Sequence, residues 1–193
     1  MIRTNVRARR AALTVLAAAL IGSATPALLP TPANAAPLGR VCLFQDKEGA
    51  RGAGHVAWAI RDPKNSSHWI WGATENAEGD SYTAPGKNNG SWIKGGSWTQ
   101  LRGSVSLTRY DYYRCINTAN GDLTTAQQTY RQMKANGYAV LTNNCLTKSL
   151  AIFRSYSPAL TSAYLPDGKS KAPNYYFTTS LNNSRGWEPP RAY

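Results

Sequence analysis

The pattern of apolar and polar positions divides the chain after residue 38 into short elements. Arg40-Val41-Cys42-Leu43-Phe44 lies in a stretch rich in β-branched and aromatic residues, which predicts a strand over Gly39–Asp46. Lys47 to Gly54 is a charged, glycine-rich turn. His55-Val56-Ala57-Trp58-Ala59-Ile60 predicts a second strand, and His68-Trp69-Ile70-Trp71-Gly72-Ala73-Thr74 a third. Between them Asp62-Pro63-Lys64-Asn65-Ser66-Ser67 has strong turn chemistry, so the two strands form a hairpin. Asn76 to Gly96 is a polar loop with many glycines, of a length usual for functional or mobile loops. Ser97 to about Leu107 predicts a short helix, and Tyr110–Ile116 a strand. Asp122 caps a helix that runs to Asn136, where Gly137 stops it. Tyr138-Ala139-Val140-Leu141 predicts a short strand leading into a helix that begins at Cys145. Leu146, Leu150 and Phe153 recur at helical spacing and give that helix an apolar stripe. A proline-containing loop over Ser157–Lys171 precedes a last helix around Asn174–Leu181, and the tail Trp187-Glu188-Pro189-Pro190 is irregular. The chain has no internal repeat.

Residues 1–35 have a different character. Arg3, Arg7, Arg9 and Arg10 precede an apolar run from Ala11 to about Ile21, too short to span a bilayer, and Ala33-Asn34-Ala35 has the small residues of a cleavage site. The expectation is a secretory signal peptide cleaved after Ala35. The product would be a secreted, monomeric single domain over 36–193 without stable membrane insertion. Removing four arginines from 22 basic residues leaves 18 against 10 acids, a formal charge of +8. These charges are scattered with no basic run, which argues against a nucleic-acid arm and is compatible with attraction to acidic polymers.

Export places the three cysteines, Cys42, Cys115 and Cys145, in an oxidising compartment. An odd count leaves one unpaired. Cys42 and Cys115 both fall on expected strands and form the natural pair, although sequence does not fix connectivity. Cys145 is then the thiol left over. It follows Asn143-Asn144 at a helix start, where unpaired N–H groups and the helix dipole stabilise a thiolate. A buried structural cysteine is the plainer reading of that window alone. With two histidines and no Cys-x-x-Cys, the sequence offers no metal-ligand cluster and implies no cofactor.

The search for a base is short. His55 opens its strand. A hairpin paired symmetrically about its loop sets Trp58 against Trp71 and His55 against Thr74, and a one-residue slip sets His55 against Glu75. His68 then lies roughly 20 Å from His55 along the ladder, too far to orient it. Glu75 is the candidate third member, holding the second ring nitrogen of His55. Cys145 and His55 are the candidate nucleophile and base. The N–H of Cys145 and the amide of Asn144 or Asn143 are candidate oxyanion donors, with a plain helix cap as the alternative role for the asparagines.

The strand opening G-H-V-A-W, its hairpin return, and N-N-C-L-T-K-S-L at a helix start resemble the circularly permuted papain-like, NlpC-type superfamily. His55 precedes Cys145, which is the permuted order, also found in the lecithin:retinol acyltransferase-like group. The resemblance covers residues 39–75 and 138–156. It implies an α+β fold in which a cysteine-bearing helix packs on a small antiparallel sheet, with Cys145 as nucleophile, His55 as base and a polar third residue on the next strand. Members of the family carry that residue about a dozen positions after the histidine, where this chain has Ser67 and His68. The segments V-C-L-F, G-H-V-A-W and G-A-T-E-N are also similar to those of small secreted bacterial proteins. The expected activity is that of a cysteine hydrolase or acyltransferase, an amidase or peptidase acting on cell-wall peptides or another acidic polymer. Two rivals remain: a non-catalytic wall- or carbohydrate-binding protein of the same fold, suggested by six tryptophans and eleven tyrosines, and a small disulfide-stabilised inhibitor.

Overall fold

A computed structural model describes residues 39–76, 80–87 and 90–193; the expected signal segment lies outside them. The fold is α+β. Eight strands are present among these residues: β1 (Gly39–Asp46), β2 (His55–Arg61), β3 (Trp69–Ala73), β4 (Tyr82–Thr83), β5 (Trp92–Gly96), β6 (Tyr112–Thr118), β7 (Tyr138–Ala139) and β8 (Arg191–Ala192). Six make one sheet in the order β5-β3-β2-β1-β6-β8, with every neighbouring pair antiparallel. The short strands β4 and β7 pair separately, Tyr82 with Ala139 and Thr83 with Tyr138. The helices are α1 (Trp98–Arg102), α2 (Leu123–Ala135), α3 (Cys145–Tyr156) and α4 (Pro173–Tyr175), which continues as a π turn over Tyr176–Ser180.

Both faces of the sheet are buried, which explains why β1 and β2 read as nearly continuous apolar runs. On one face Val41, Leu43, Val56, Trp58, Ile60 and Ile70 pack under Leu146, Leu150 and Phe153 of α3, with Ala126 and Tyr130 of α2 in the same core. The stripe expected for the cysteine helix is therefore its buried face. On the other face Cys42, Phe44, Ala57 and Ala59 pack with Trp69, Trp71, Leu101 and Tyr113. Cys42 and Cys115 are directly opposite on β1 and β6 and form a disulfide. Among the described residues Cys145 is the free thiol, and it is buried. No helix among the described residues is long and apolar enough to cross a membrane.

The symmetric pairing of the β2–β3 hairpin is corrected by one residue. Trp58 faces Gly72, Ala59 faces Trp71 and Arg61 faces Trp69. Two features fix this register. The Asp62 N–H donates to the His68 carbonyl at 2.9 Å and closes the loop in that phase. Opposite Trp58 only a glycine fits: a Cβ on Gly72 would lie 2.9 Å from the Trp58 ring and 2.4 Å from the Trp92 carbonyl oxygen. The same register carried to the start of β2 sets His55 against Glu75 rather than Thr74.

The loop expected over Asn76–Gly96 contains β4 and β5. Strand β5 has Lys94, Gly95 and Gly96 and is largely exposed, so its own sequence is a poor strand former. Its backbone is held by pairing along β3 from Trp69–Gly96 to Ala73–Trp92. The helix expected over Ser97–Leu107 is shorter, α1 followed by a 3-10 turn at Val105–Leu107. Asp122 caps α2 as expected, accepting from the Thr125 N–H at 2.9 Å, and Gly137 follows its end with φ of 78°.

Candidate active site

Cys145 is the first residue of α3. Asn144 is its cap: the Asn144 side chain accepts from the Thr147 N–H at 3.1 Å, and the Thr147 hydroxyl accepts from the Asn144 N–H at 3.0 Å. This reciprocal box fixes the first turn and leaves the helix N-terminus beside the thiol. The Asn144 amide nitrogen donates to the Val140 carbonyl at 2.8 Å. That of Asn143 reaches the Asn136 and Gly137 carbonyls at 3.2 and 3.3 Å. Both amides are thus engaged in holding the chain into α3. Asn144 fills the helix-cap role expected of one of the pair.

The fold brings His55, Glu75 and Cys145 together. The thiol and the His55 imidazole are hydrogen-bond partners. The His55 Nε2 atom lies 3.6 Å from Glu75 Oε1 and makes no shorter hydrogen bond, which leaves Nδ1 for the thiol. Glu75 lies two residues past the end of β3, where the one-residue register shift sets it against His55. Its Oε1 also receives the Trp92 indole N–H and an Arg109 guanidinium nitrogen, each at 2.8 Å. Arg109 stacks on Tyr110 at 5.3 Å, and the Tyr110 ring centroid lies 6.0 Å from that of His55. His68 is elsewhere, 3.6 Å from Asp62 and partly exposed.

Burial alone would push the Cys145 thiol up. The charge of His55 and hydrogen bonds from His55, the Val56 N–H and the Tyr138 hydroxyl outweigh it and hold the thiol below its ordinary value. For His55 burial disfavours the imidazolium, but the attraction and hydrogen bond of Cys145, then the hydrogen bond of Glu75, raise it to about 9. For Glu75 burial acts upward, and His55, Arg109 and Trp92 together bring it down. All three shifts favour one state: thiolate, imidazolium, carboxylate.

Tyr138 also belongs to this site, although nothing in its own sequence window points to it. Its hydroxyl accepts from the Cys145 N–H at 3.3 Å and also contacts the sulfur. Burial pushes this phenol well above its ordinary value, so it is a donor at all neutral pH. Arg109 and Trp92 were likewise not singled out. One flanks a strand, the other opens an edge strand, and only tertiary pairing brings them to Glu75.

The thiol is 2% exposed and opens into a cleft of about 510 Å³ with Ala53, Val140, Leu141 and Pro173 in its walls. A smaller cavity of about 210 Å³ opens at His55 and Glu75, with Asp46, Asp80 and Arg109 around it. Ala50, Tyr138 and Val140 wall both. Among the described residues no group of three or more His, Cys, Asp or Glu side chains is placed to hold a metal ion.

Comparison of the chain with protein-family models, with curated proteins and with solved structures returns no match to any of them.

If Glu75 supports the imidazolium, Glu75→Gln should slow iodoacetamide alkylation of Cys145 at pH 7 by roughly 3- to 10-fold, since the carboxylate charge beside His55 is lost. His68→Ala should leave that rate within about twofold, because His68 contacts Asp62 and not the site. Pseudo-first-order alkylation rates read by intact mass would test both, and the reverse ordering would reject the assignment.

Proposed function

We propose that this chain is a secreted cysteine-dependent hydrolase or acyltransferase of permuted papain-like type, an amidase or peptidase whose substrates are cell-wall peptides. The observation that carries the reading is the thiol of Cys145, hydrogen-bonded to His55 at a helix N-terminus and open to a cleft, with Glu75 behind the imidazole. A structural cysteine has no need of a base, a carboxylate behind that base and an access route. The basic charge of the chain suits an acidic polymer substrate, and residues 1–35 suit export.

In this reading the Cys145 thiolate attacks the carbonyl carbon and the C=O electron pair moves to oxygen. The oxyanion takes the Cys145 N–H and the Tyr138 hydroxyl as donors; that N–H now donates to the hydroxyl itself, so the incoming oxygen replaces this contact. His55 gives its proton to the leaving amine as the C–N bond breaks, leaving a thioester. Imidazole then accepts a proton from water or another acceptor, which attacks the thioester and releases Cys145. Glu75 keeps Nε2 of His55 protonated and balances the charge on the ring.

Two outcomes follow. The second-order rate constant for an amide or activated-ester substrate should hold through neutral pH and fall as pH rises through about 9, where His55 loses the proton that the leaving group needs. Tyr138→Phe should lower acylation by about 100-fold, the usual consequence of removing one oxyanion donor. Its alkylation rate on the high-pH plateau should change little, because alkylation builds no oxyanion. Equal loss in both reactions would assign Tyr138 to thiol activation instead.

A further inference from the structure

The cleft and the smaller cavity differ in kind, and the chemistry of the thiol fixes which end of a substrate enters each. Cys145 is in the wall of the cleft and not of the smaller cavity, whereas His55 is in the wall of the smaller cavity and not of the cleft. In the acyl transfer proposed above His55 gives its proton to the leaving amine, so that amine lies on the His55 side. The acyl group left on sulfur lies on the cleft side. Tyr138, the oxyanion donor of that reading, walls both cavities and marks where the carbonyl sits. The bond to be cut spans the two, an orientation that rests on the reading of Cys145 as nucleophile.

The cleft is apolar. Ala50, Ala53, Val140, Leu141, Ala172 and Pro173 make most of its walls. Its lip leaves apolar surface in water, with Leu141 77% and Val140 43% exposed. Among the described residues Lys171 is the one charged side chain in the walls. Its ammonium lies 5.4 Å from the centre of the Tyr175 ring, which is itself exposed. A charged acyl group would lose its hydration against these walls, whereas an apolar one covers Leu141 and Val140.

The smaller cavity has the opposite character. Asp46, Glu75 and Asp80 bring three carboxylates to it, against the imidazolium of His55 and the guanidinium of Arg109. Arg109 is shared between Glu75 at 2.8 Å and Asp46 at 3.8 Å, and His55 faces Glu75 at 3.6 Å. Asp80 forms no ion pair among the described residues, so one negative charge is left over, and a second once His55 has given up its proton. We propose that the scissile bond joins an apolar acyl group, seated in the cleft, to an amine that carries a second positive charge, seated against Asp80. The same seat serves an amine that enters as acceptor. Its nitrogen attacks the thioester carbon, its proton passes to the neutral imidazole, and the C–S bond breaks to release the thiolate.

The test uses the folded chain acylated by 4-nitrophenyl hexanoate, read by the nitrophenol burst and by intact mass. Mono(4-nitrophenyl) adipate has the same chain length and a terminal carboxylate. It should acylate Cys145 more slowly by about tenfold or more, since its charge loses hydration in the cleft. Cadaverine should then divert the acyl-enzyme from hydrolysis to amide about tenfold better than pentylamine at equal free base, because its second ammonium pairs with Asp80. The anionic 5-aminopentanoate should do no better than pentylamine. Asp80→Asn should reduce the advantage of cadaverine to about twofold or less. Asp62→Asn, the same change at the far end of the β2–β3 hairpin, should leave that advantage intact. With an acyl-enzyme formed, equal use of cadaverine and pentylamine, equal loss in Asp62→Asn, or adipate matching hexanoate would overturn this orientation and leave the nucleophile standing. No acyl-enzyme with either ester would overturn both.

Discussion

Iodoacetamide should alkylate Cys145 in the folded protein well below pH 8, and His55→Ala should slow that reaction at pH 7 by about tenfold or more. The sign follows from the opposing influences on the thiol. Burial raises its pKa, and His55 is the largest influence acting the other way. Without the imidazolium the upward push is opposed only by the Val56 N–H, the Tyr138 hydroxyl and the helix N-terminus. An ordinary thiol is only a few per cent ionised at neutral pH, and a buried one less. The wild-type profile should therefore be flat across neutral pH, while that of His55→Ala should still be climbing above pH 8. Turnover should respond more strongly, since His55 also supplies the leaving-group proton. Both Cys145→Ala and His55→Ala should lose a thousandfold or more in acyl transfer. A thiol inert in the folded protein, or a pH profile indifferent to residue 55, would remove the catalytic reading.

The second large effect is on stability. The Cys42–Cys115 bridge joins the neighbouring strands β1 and β6 across 73 residues of chain. Closing a loop of that length restricts the unfolded ensemble by an amount worth about 4 kcal/mol in the chain-entropy account. Replacing both cysteines with alanine should lower the unfolding free energy by about 3–4 kcal/mol, read as a reduced urea midpoint at unchanged slope. The bridge belongs to the core on the far side of the sheet from α3. The fraction that remains folded should accordingly alkylate at Cys145 at the wild-type rate. A loss under about 1 kcal/mol would show that the bridge contributes little.

What could be read from the sequence was whatever has a local signature. Strands β1 and β2, the caps Asp122 and Asn144, the stop at Gly137 and the apolar stripe of α3 depend on neighbouring residues, and they stand close to where the pattern put them. The pairing of Cys42 with Cys115 followed from counting cysteines and from the two strands. The position of Glu75 depended on a register that turn composition alone could not set. It took the Asp62–His68 closure and the fit of Trp58 over Gly72. Strand β5 was hidden because its glycines and lysine favour a loop, and the pairing that overrides them comes from β3. With β5 went Trp92 and its hydrogen bond to Glu75. Tyr138 was placed on a strand, but nothing in its own window pointed at the thiol seven residues later.

The buried Lys148 lies one helical turn past Cys145. Its ammonium donates to the Met133 and Gly137 carbonyls and, at 2.7 Å, to the Asn136 side chain, closing the C-terminus of α2. It also stands 5.8 Å from the centre of the Tyr138 ring. The nucleophile, its helix and the tyrosine wall are thereby one mechanical piece. The facing wall has its own fastener: Asn174 donates through its backbone to Ala53 and through its amide to the Lys47 and Gly52 carbonyls. A slot with both jaws bolted this way selects by shape. What enters it has to be narrow or flexible, and the protein around it has little to rearrange.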